Sequence, residues 1–281
     1  MSENQHPSEQ PRRPQDADLR MPAAEYIRFA VLGDSASCGV GDRPPNGRRG
    51  WARILADAIG TEHHVSACNL AVPGADVADV RREQLADALD HRPVLASLVV
   101  GLNDVLRSTW DPEQIRADLL HCAGELARQG ALVVTVRFHD HARVFGLPGL
   151  LAGPLRRRIE ILNSIYDEVH EQYGALRLDL DDPAIYSRKL WSFDRLHPSE
   201  QGHRWLARRV GELLNAEGLT FALPALTCTS PTPGRVEQAR TLAVDIAPWL
   251  GRRIRDLAPW AACRALRRMA PARTVRARGA R

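Results

Sequence analysis

Five short apolar runs are spaced along the chain: YIRFAVLG (26–33), VSACNLAV (65–72), VLASLVVGL (94–102), ALVVTVRF (131–138) and ALRLDL (175–180). Each is rich in β-branched residues or leucine and is stopped by Gly, Pro, Asn or Asp, which is how buried strands read. Between and after them, apolar residues recur at helical spacing near 48–60, 76–90, 111–129, 155–173 and 199–216. Asp111-Pro112 supplies a side-chain cap and a proline at the first helical position, and Gly130 supplies the stop. Strand–helix alternation of this kind implies an α/β fold, a parallel sheet covered by helices on both faces. Ligand sites on such sheets form at the carboxyl ends of the strands. The residues just after each run are therefore where chemistry is expected.

Four blocks meet that expectation. Gly33-Asp34-Ser35 ends the first run, and a serine at a strand-to-helix turn can present both its hydroxyl and its own N–H to a crevice. Gly74, in NLAVPGADV after the second run, lets a substrate approach the backbone closely. Asn103, in VGLNDVLR, offers a neutral carboxamide donor to a developing oxyanion. In FDRLHPSEQGHRWLA, Asp194 and His197 lie three apart before the last helix, so that one tight loop can hold both. A serine hydroxyl is a weak nucleophile at neutral pH. It needs a base (His197), an orienting carboxylate (Asp194) and oxyanion donors (Ser35 N–H, Gly74 N–H and the Asn103 amide). Each block by itself also reads as an ordinary turn. The weight lies in all of them together, in order, at the strand ends.

With Ser35 in GDS, Gly74 in NLAVPG, Asn103 in GLND, and Asp194 and His197 in DRLH, residues 26–216 resemble the SGNH hydrolases, also called GDSL-type esterases and lipases. The resemblance implies a three-layer α/β/α sandwich with a mainly parallel five-stranded sheet of flavodoxin-like order. It also implies hydrolysis of carboxylic esters or thioesters through an acyl-serine, with no cofactor and no metal. GDSAS stands where the family's common signature is GDSL or GDSF, which bears on substrate rather than on chemistry. The same groups would serve an acyltransferase using an alcohol or sugar in place of water, and a non-catalytic binding module on this fold is a third reading.

Neighbouring polar residues read as support. Asp34 and Asp104 are expected to brace the loops, Ser37 competes with Ser35 only formally, and Cys38 reads as a packing residue. His139-Asp140-His141 looks metal-like, but two imidazoles two apart without further ligands make a polar loop after the fourth strand, lining the pocket, the better reading. ARVFGLPGLLAGPLRRR (142–158) is apolar and broken by Gly and Pro, a candidate lid or acyl-contacting wall.

Composition divides the chain. Residues 1–23 read as a flexible leader, 24–218 as the hydrolase domain, 219–234 as a Pro/Thr-rich linker and 235–281 as an Arg-rich amphipathic tail. From Arg235 onward twelve Arg face only Glu237, Asp245 and Asp256, a net +9; the whole chain is +4, which leaves −5 on the first 234 residues. In the tail, Leu250, Ile254, Leu257 and Ala261 share one helical face and Arg252, Arg253 and Arg255 lie elsewhere. That pattern suits an interfacial helix touching a membrane peripherally, or an extension packed on the domain; a specific nucleic-acid partner is not expected, nor is a protein partner. Five widely spaced cysteines without C-x-x-C argue against a disulfide framework or zinc site and for reduced thiols. The polar leader has no apolar signal segment, and no run approaches the about 18 apolar residues that span a bilayer, so a cytoplasmic protein acting on a small-molecule ester is expected.

Overall fold

A computed structural model describes residues 26–42 and 47–228, with Gly234 and Gly251 as isolated positions. The leader, the tail and most of 229–234 lie outside the described residues.

Five strands, β1 (Tyr26–Gly33), β2 (His64–Asn69), β3 (Leu95–Val99), β4 (Leu132–Arg137) and β5 (Leu176–Asp179), form one sheet in the order β2-β1-β3-β4-β5. All four pairings are parallel, with Val31 opposite both Asn69 and Ser97 at the centre. The sheet is the five-stranded parallel one expected of an α/β sandwich. β3 is buried at every position, whereas β2, at an edge, alternates between half-buried and exposed. That difference follows from covering both faces of the central strands.

The helices are α1 (Ser35–Cys38), α2 (Gly50–Ile59), α3 (Val77–Asp79), α4 (Leu85–Asp90), α5 (Leu102–Val105), α6 (Pro112–Arg128), α7 (His141–Phe145), α8 (Gly149–Tyr173) and α9 (Glu200–Ala216). A π-helical turn, Val80–Gln84, joins α3 to α4 within the segment expected as one helix over 76–90. α2 packs with α9, while α6 packs with α8 and α4. Along α8, Leu162, Tyr166 and Val169 are fully buried at spacings of four and three, the stripe that docks the helix on the sheet. Each such side chain contributes about 1.5–3 kcal/mol by leaving water.

β1 matches its apolar run, and the other four strands end one to three residues before theirs. The chain turns out of the sheet while staying buried, as at Val100, whose burial is complete. α8 starts six residues before the expected 155, because Ala152 and Leu155 already belong to its buried face. The candidate lid over 142–158 is thus largely helical, split between α7 and the start of α8, and anchored in the core. Beyond α9, Leu219 and Phe221 are buried in the same core and the Asn215 side chain donates to the Phe221 carbonyl (3.1 Å), so the first residues after 218 lie against that helix.

Candidate active site

Ser35, Asn103 and His197 converge at the carboxyl edge of the sheet, where β1 leads out toward β2 on one side and β3 leads out toward β4 on the other. Ser35 opens α1, whose N-cap is Asp34: Oδ1 accepts from the Ala36 N–H (3.0 Å). The Ser35 hydroxyl lies 2.8 Å from Nε2 of His197. Nδ1 of His197 lies 2.6 Å from Oδ2 of Asp194. A carboxylate on Nδ1 requires the proton there, leaving Nε2 to accept from the serine O–H. Ser37, by contrast, is fully buried with its hydroxyl unpartnered.

The loop carrying Asp194 and His197 is locally over-determined. Oδ1 of Asp194 accepts from the Ser192 hydroxyl (2.5 Å) and from the N–H groups of Leu196 (2.9 Å) and His197 (3.0 Å). The Ser192 N–H donates to the His197 carbonyl (2.8 Å), closing the hairpin. To make this turn Arg195 adopts φ 56°, a left-handed conformation uncommon for a side-chain-bearing residue. Burial opposes ionisation of Asp194, but the hydrogen bonds and charge of His197, with those of Ser192, outweigh it and hold the carboxyl at about 2. The carboxylate is therefore charged above about pH 2.

Gly74 has φ 87° and no atom within 4 Å of where a Cβ would stand, so its backbone faces open space. Among the described residues neither its N–H nor that of Ser35 donates to a protein acceptor. The carboxamide of Asn103 is buried; Nδ2 donates to the Ala75 carbonyl (3.0 Å) and lies at a longer 3.4 Å from Oδ2 of Asp34. Asp104 accepts from the Val77 N–H (3.2 Å to Oδ2), tying α5 to the start of α3. Burial pushes the Asp34 carboxyl up to about 6 and that of Asp104 up to about 7. Both aspartates brace loops, as expected.

Three residues important to this geometry carry no motif. The Gln84 amide pairs with Gly33 at the end of β1, the Tyr166 hydroxyl with both backbone groups of Val100 after β3, and the Asn163 amide with both of Phe138 after β4. Each satisfies buried backbone groups where the ladder stops. The only sequence signal was a polar residue on an apolar stripe, as Gln84 is on the stripe of Val77, Val80 and Ala88. Arg107 carries no motif either: it pairs with Asp76 and donates to the Gly74 carbonyl (3.1 Å), fixing the turn that presents Gly74.

His139 and His141 are buried with rings stacked at 4.0 Å. Among the described residues no group of three or more His, Cys, Asp or Glu is arranged to hold a metal ion, and no helix is long and apolar enough to cross a membrane. Cys38, Cys68, Cys122 and Cys228 are free thiols.

The family model of the GDSL-like lipase/acylhydrolase family matches residues 31–205, from β1 into α9. The chain belongs to this family. By that membership it is a carboxylic ester hydrolase, and its small-molecule substrates are esters. It is 24% identical over 164 residues to an acetylxylan esterase of Geobacillus stearothermophilus, covering 55% of this chain and 74% of that protein. The crystal structure of Axe2, an acetylxylan esterase from that organism, superposes with a TM-score of 0.53 at 19% identity, covering 67% of this chain and 94% of that one. A psychrotrophic esterase, EstA, from Pseudoalteromonas sp. superposes with a TM-score of 0.55 at 17% identity, covering 68% and 97%. At such identities these structures speak for the shared fold.

Proposed function

We propose that the protein hydrolyses carboxylic esters through an acyl-serine on Ser35. The observation that carries the reading is the unbroken line from Asp194 to His197 (2.6 Å) and from His197 to Ser35 (2.8 Å). His197 takes the Ser35 proton as Oγ attacks the acyl carbonyl, and the carbonyl electrons move to oxygen. The Ser35 and Gly74 N–H groups and the Asn103 amide then stabilise that oxyanion; the 3.4 Å contact of Asn103 to Asp34 is long enough for the developing charge to displace. On collapse, His197 returns the proton to the leaving alcohol. Water attacks the acyl-serine in the second half, with His197 again the base and the acid product leaving. Asp194 orients His197 and stabilises its cationic form without taking its proton.

The test is Ser35→Ala, which abolishes hydrolysis of short p-nitrophenyl esters with an unchanged circular-dichroism spectrum; retained activity overturns the assignment. The Pseudoalteromonas esterase of the same fold is inhibited by monoethylphosphonate. A fluorophosphonate probe is accordingly expected to label Ser35. Product analysis with added alcohols and sugars separates hydrolysis from acyl transfer.

A further inference from the structure

A cavity of about 70 Å³ abuts the triad. Asp34 and Ala36, on either side of Ser35, line it, as do Leu102, before Asn103, and Leu196 and Pro198, on either side of His197. The neighbours of Gly74 do not, so the cavity extends away from β2 and toward β4 and β5. Its walls there are apolar, built from Val136 of β4, Leu178 of β5, and Leu206 and Val210 of α9.

Three polar side chains interrupt the lining, Asp34, His139 and His141, and of these only His139 has both ring nitrogens buried without a partner. His139 is 2% exposed, and neither of its ring nitrogens has a hydrogen-bond partner. Stacking on His141 and contact with the Trp191 ring (centroids 5.1 Å apart) fix the ring without satisfying it. Burial, with the neighbouring His141 adding to it, keeps the imidazole neutral, so it presents one donor and one acceptor. Each such buried group left unpaired costs about 1–3 kcal/mol. A wall that is mostly hydrocarbon and carries an unsatisfied imidazole fits a ligand that is mostly apolar with one hydrogen-bonding atom.

We propose that this cavity is the acyl subsite, and that it takes a short acyl chain bearing one oxygen substituent, which His139 recognises. The inference rests on the ester-hydrolase reading with Ser35 as nucleophile. Its size sets the length: a cavity of about 150 Å³ accepts benzene, so one of half that volume holds on the order of three to four non-hydrogen atoms. A site with a buried polar group selects the substrate that satisfies it, because the analogue lacking that group leaves it unpaired.

The test compares kcat/KM of the full chain on p-nitrophenyl acetate, butyrate, 3-hydroxybutyrate and octanoate, with fluorophosphonate labelling of Ser35 in parallel. Hydroxybutyrate is expected to exceed butyrate by about tenfold, the worth of one good hydrogen bond, and octanoate to be turned over poorly. His139→Leu brings the hydroxybutyrate-to-butyrate ratio to about 1, and Leu206→Ala moves the preferred length up by one to two carbons, about the volume removed. Both variants keep the label. His139→Phe, which preserves the ring stack, serves if His139→Leu fails to fold. A hydroxyl preference absent from the wild type, or untouched by either His139 variant, overturns the proposal while intact labelling leaves the hydrolase reading standing. So does a length optimum indifferent to Leu206→Ala. A wild-type chain that neither labels nor hydrolyses any of the four esters overturns both.

Discussion

The side-chain amide of Gln84 hydrogen-bonds both backbone groups of Gly33, accepting from its N–H at 2.8 Å and donating to its carbonyl at 3.0 Å, two residues before Ser35. The amide stands in for a missing strand neighbour at the point where β1 gives way to α1. It is also rigidly sourced, from a π-helical turn held between two α-helical segments, and such turns recur at functional sites.

Gln84→Leu removes both bonds and leaves the Gly33 N–H buried and unpaired, while the carbonyl keeps the Val72 N–H (3.2 Å). The expected loss is about 1–3 kcal/mol per unsatisfied group in denaturant unfolding. Because Ser35, the proposed nucleophile, moves with Gly33, kcat is expected to fall on the order of 10- to 100-fold with little change in KM. An unaltered kcat in folded protein would show that the sheet alone positions Ser35.

Asn103→Ala is expected to lower kcat by about 10²–10³, as loss of one oxyanion donor does. The effect belongs in kcat because the donor meets full charge only in the transition state. Steady-state kinetics check this; a defect confined to KM argues that Asn103 only holds the Ala75 turn.

Asp194→Asn keeps the size of the side chain but can donate to Nδ1 of His197, which favours the wrong tautomer. The expected fall in kcat is about 10³–10⁴ at neutral pH. There is a stability consequence as well. The Asp194 carboxyl falls from 3.8 to about 2 on folding, so its contribution is fully present above pH 3.8 and lost as pH drops toward 2. That contribution is on the order of 2 kcal/mol, and acid unfolding of wild type and variant should converge near pH 2.

His203 gives a dependence in a different window. It accepts from the Trp51 N–H at Nδ1 (3.2 Å) and pairs with the Val40 carbonyl at Nε2 (2.9 Å), an arrangement that only the neutral ring can make. Burial holds its pKa down at about 4, against 6.5 unfolded. The unfolded chain therefore binds a proton that the native state refuses. Stability from this group is complete above pH 6.5 and lost as pH falls to about 4. Asp34 and Asp104, with raised pKa values, act with the opposite sign over an overlapping range, so the informative quantity is a difference. His203→Gln is expected to lose less Tm than wild type between pH 7 and pH 4.5, by calorimetry. An equal loss in both would show that His203 does not set the acid limit.

The position of each motif at the end of an apolar run was legible because local rules govern both. Strand periodicity is set by neighbours two apart and strand termination by Gly, Asn and Asp, so the five strands and the sites of Ser35, Gly74, Asn103, Asp194 and His197 could be read in one dimension. Roles could be proposed for them because acyl chemistry at neutral pH needs those groups. Register and distance could not. That His197 comes within 2.8 Å of a serine 162 residues away depends on α9 packing with α2, and on Gly41, where a methyl group would stand 2.0 Å from the Pro198 carbonyl oxygen. The strand-end partners Gln84, Tyr166 and Asn163 were illegible for the same reason. A lone polar residue on an apolar face announces burial, but not which backbone group it will meet. The loop after β4 was legible as polar and pocket-lining, but not that His139 would be almost fully buried with its ring nitrogens unpartnered. Short-range chemistry chose the elements and the reactive groups; long-range packing, which no local pattern encodes, chose their distances and the space left for a substrate.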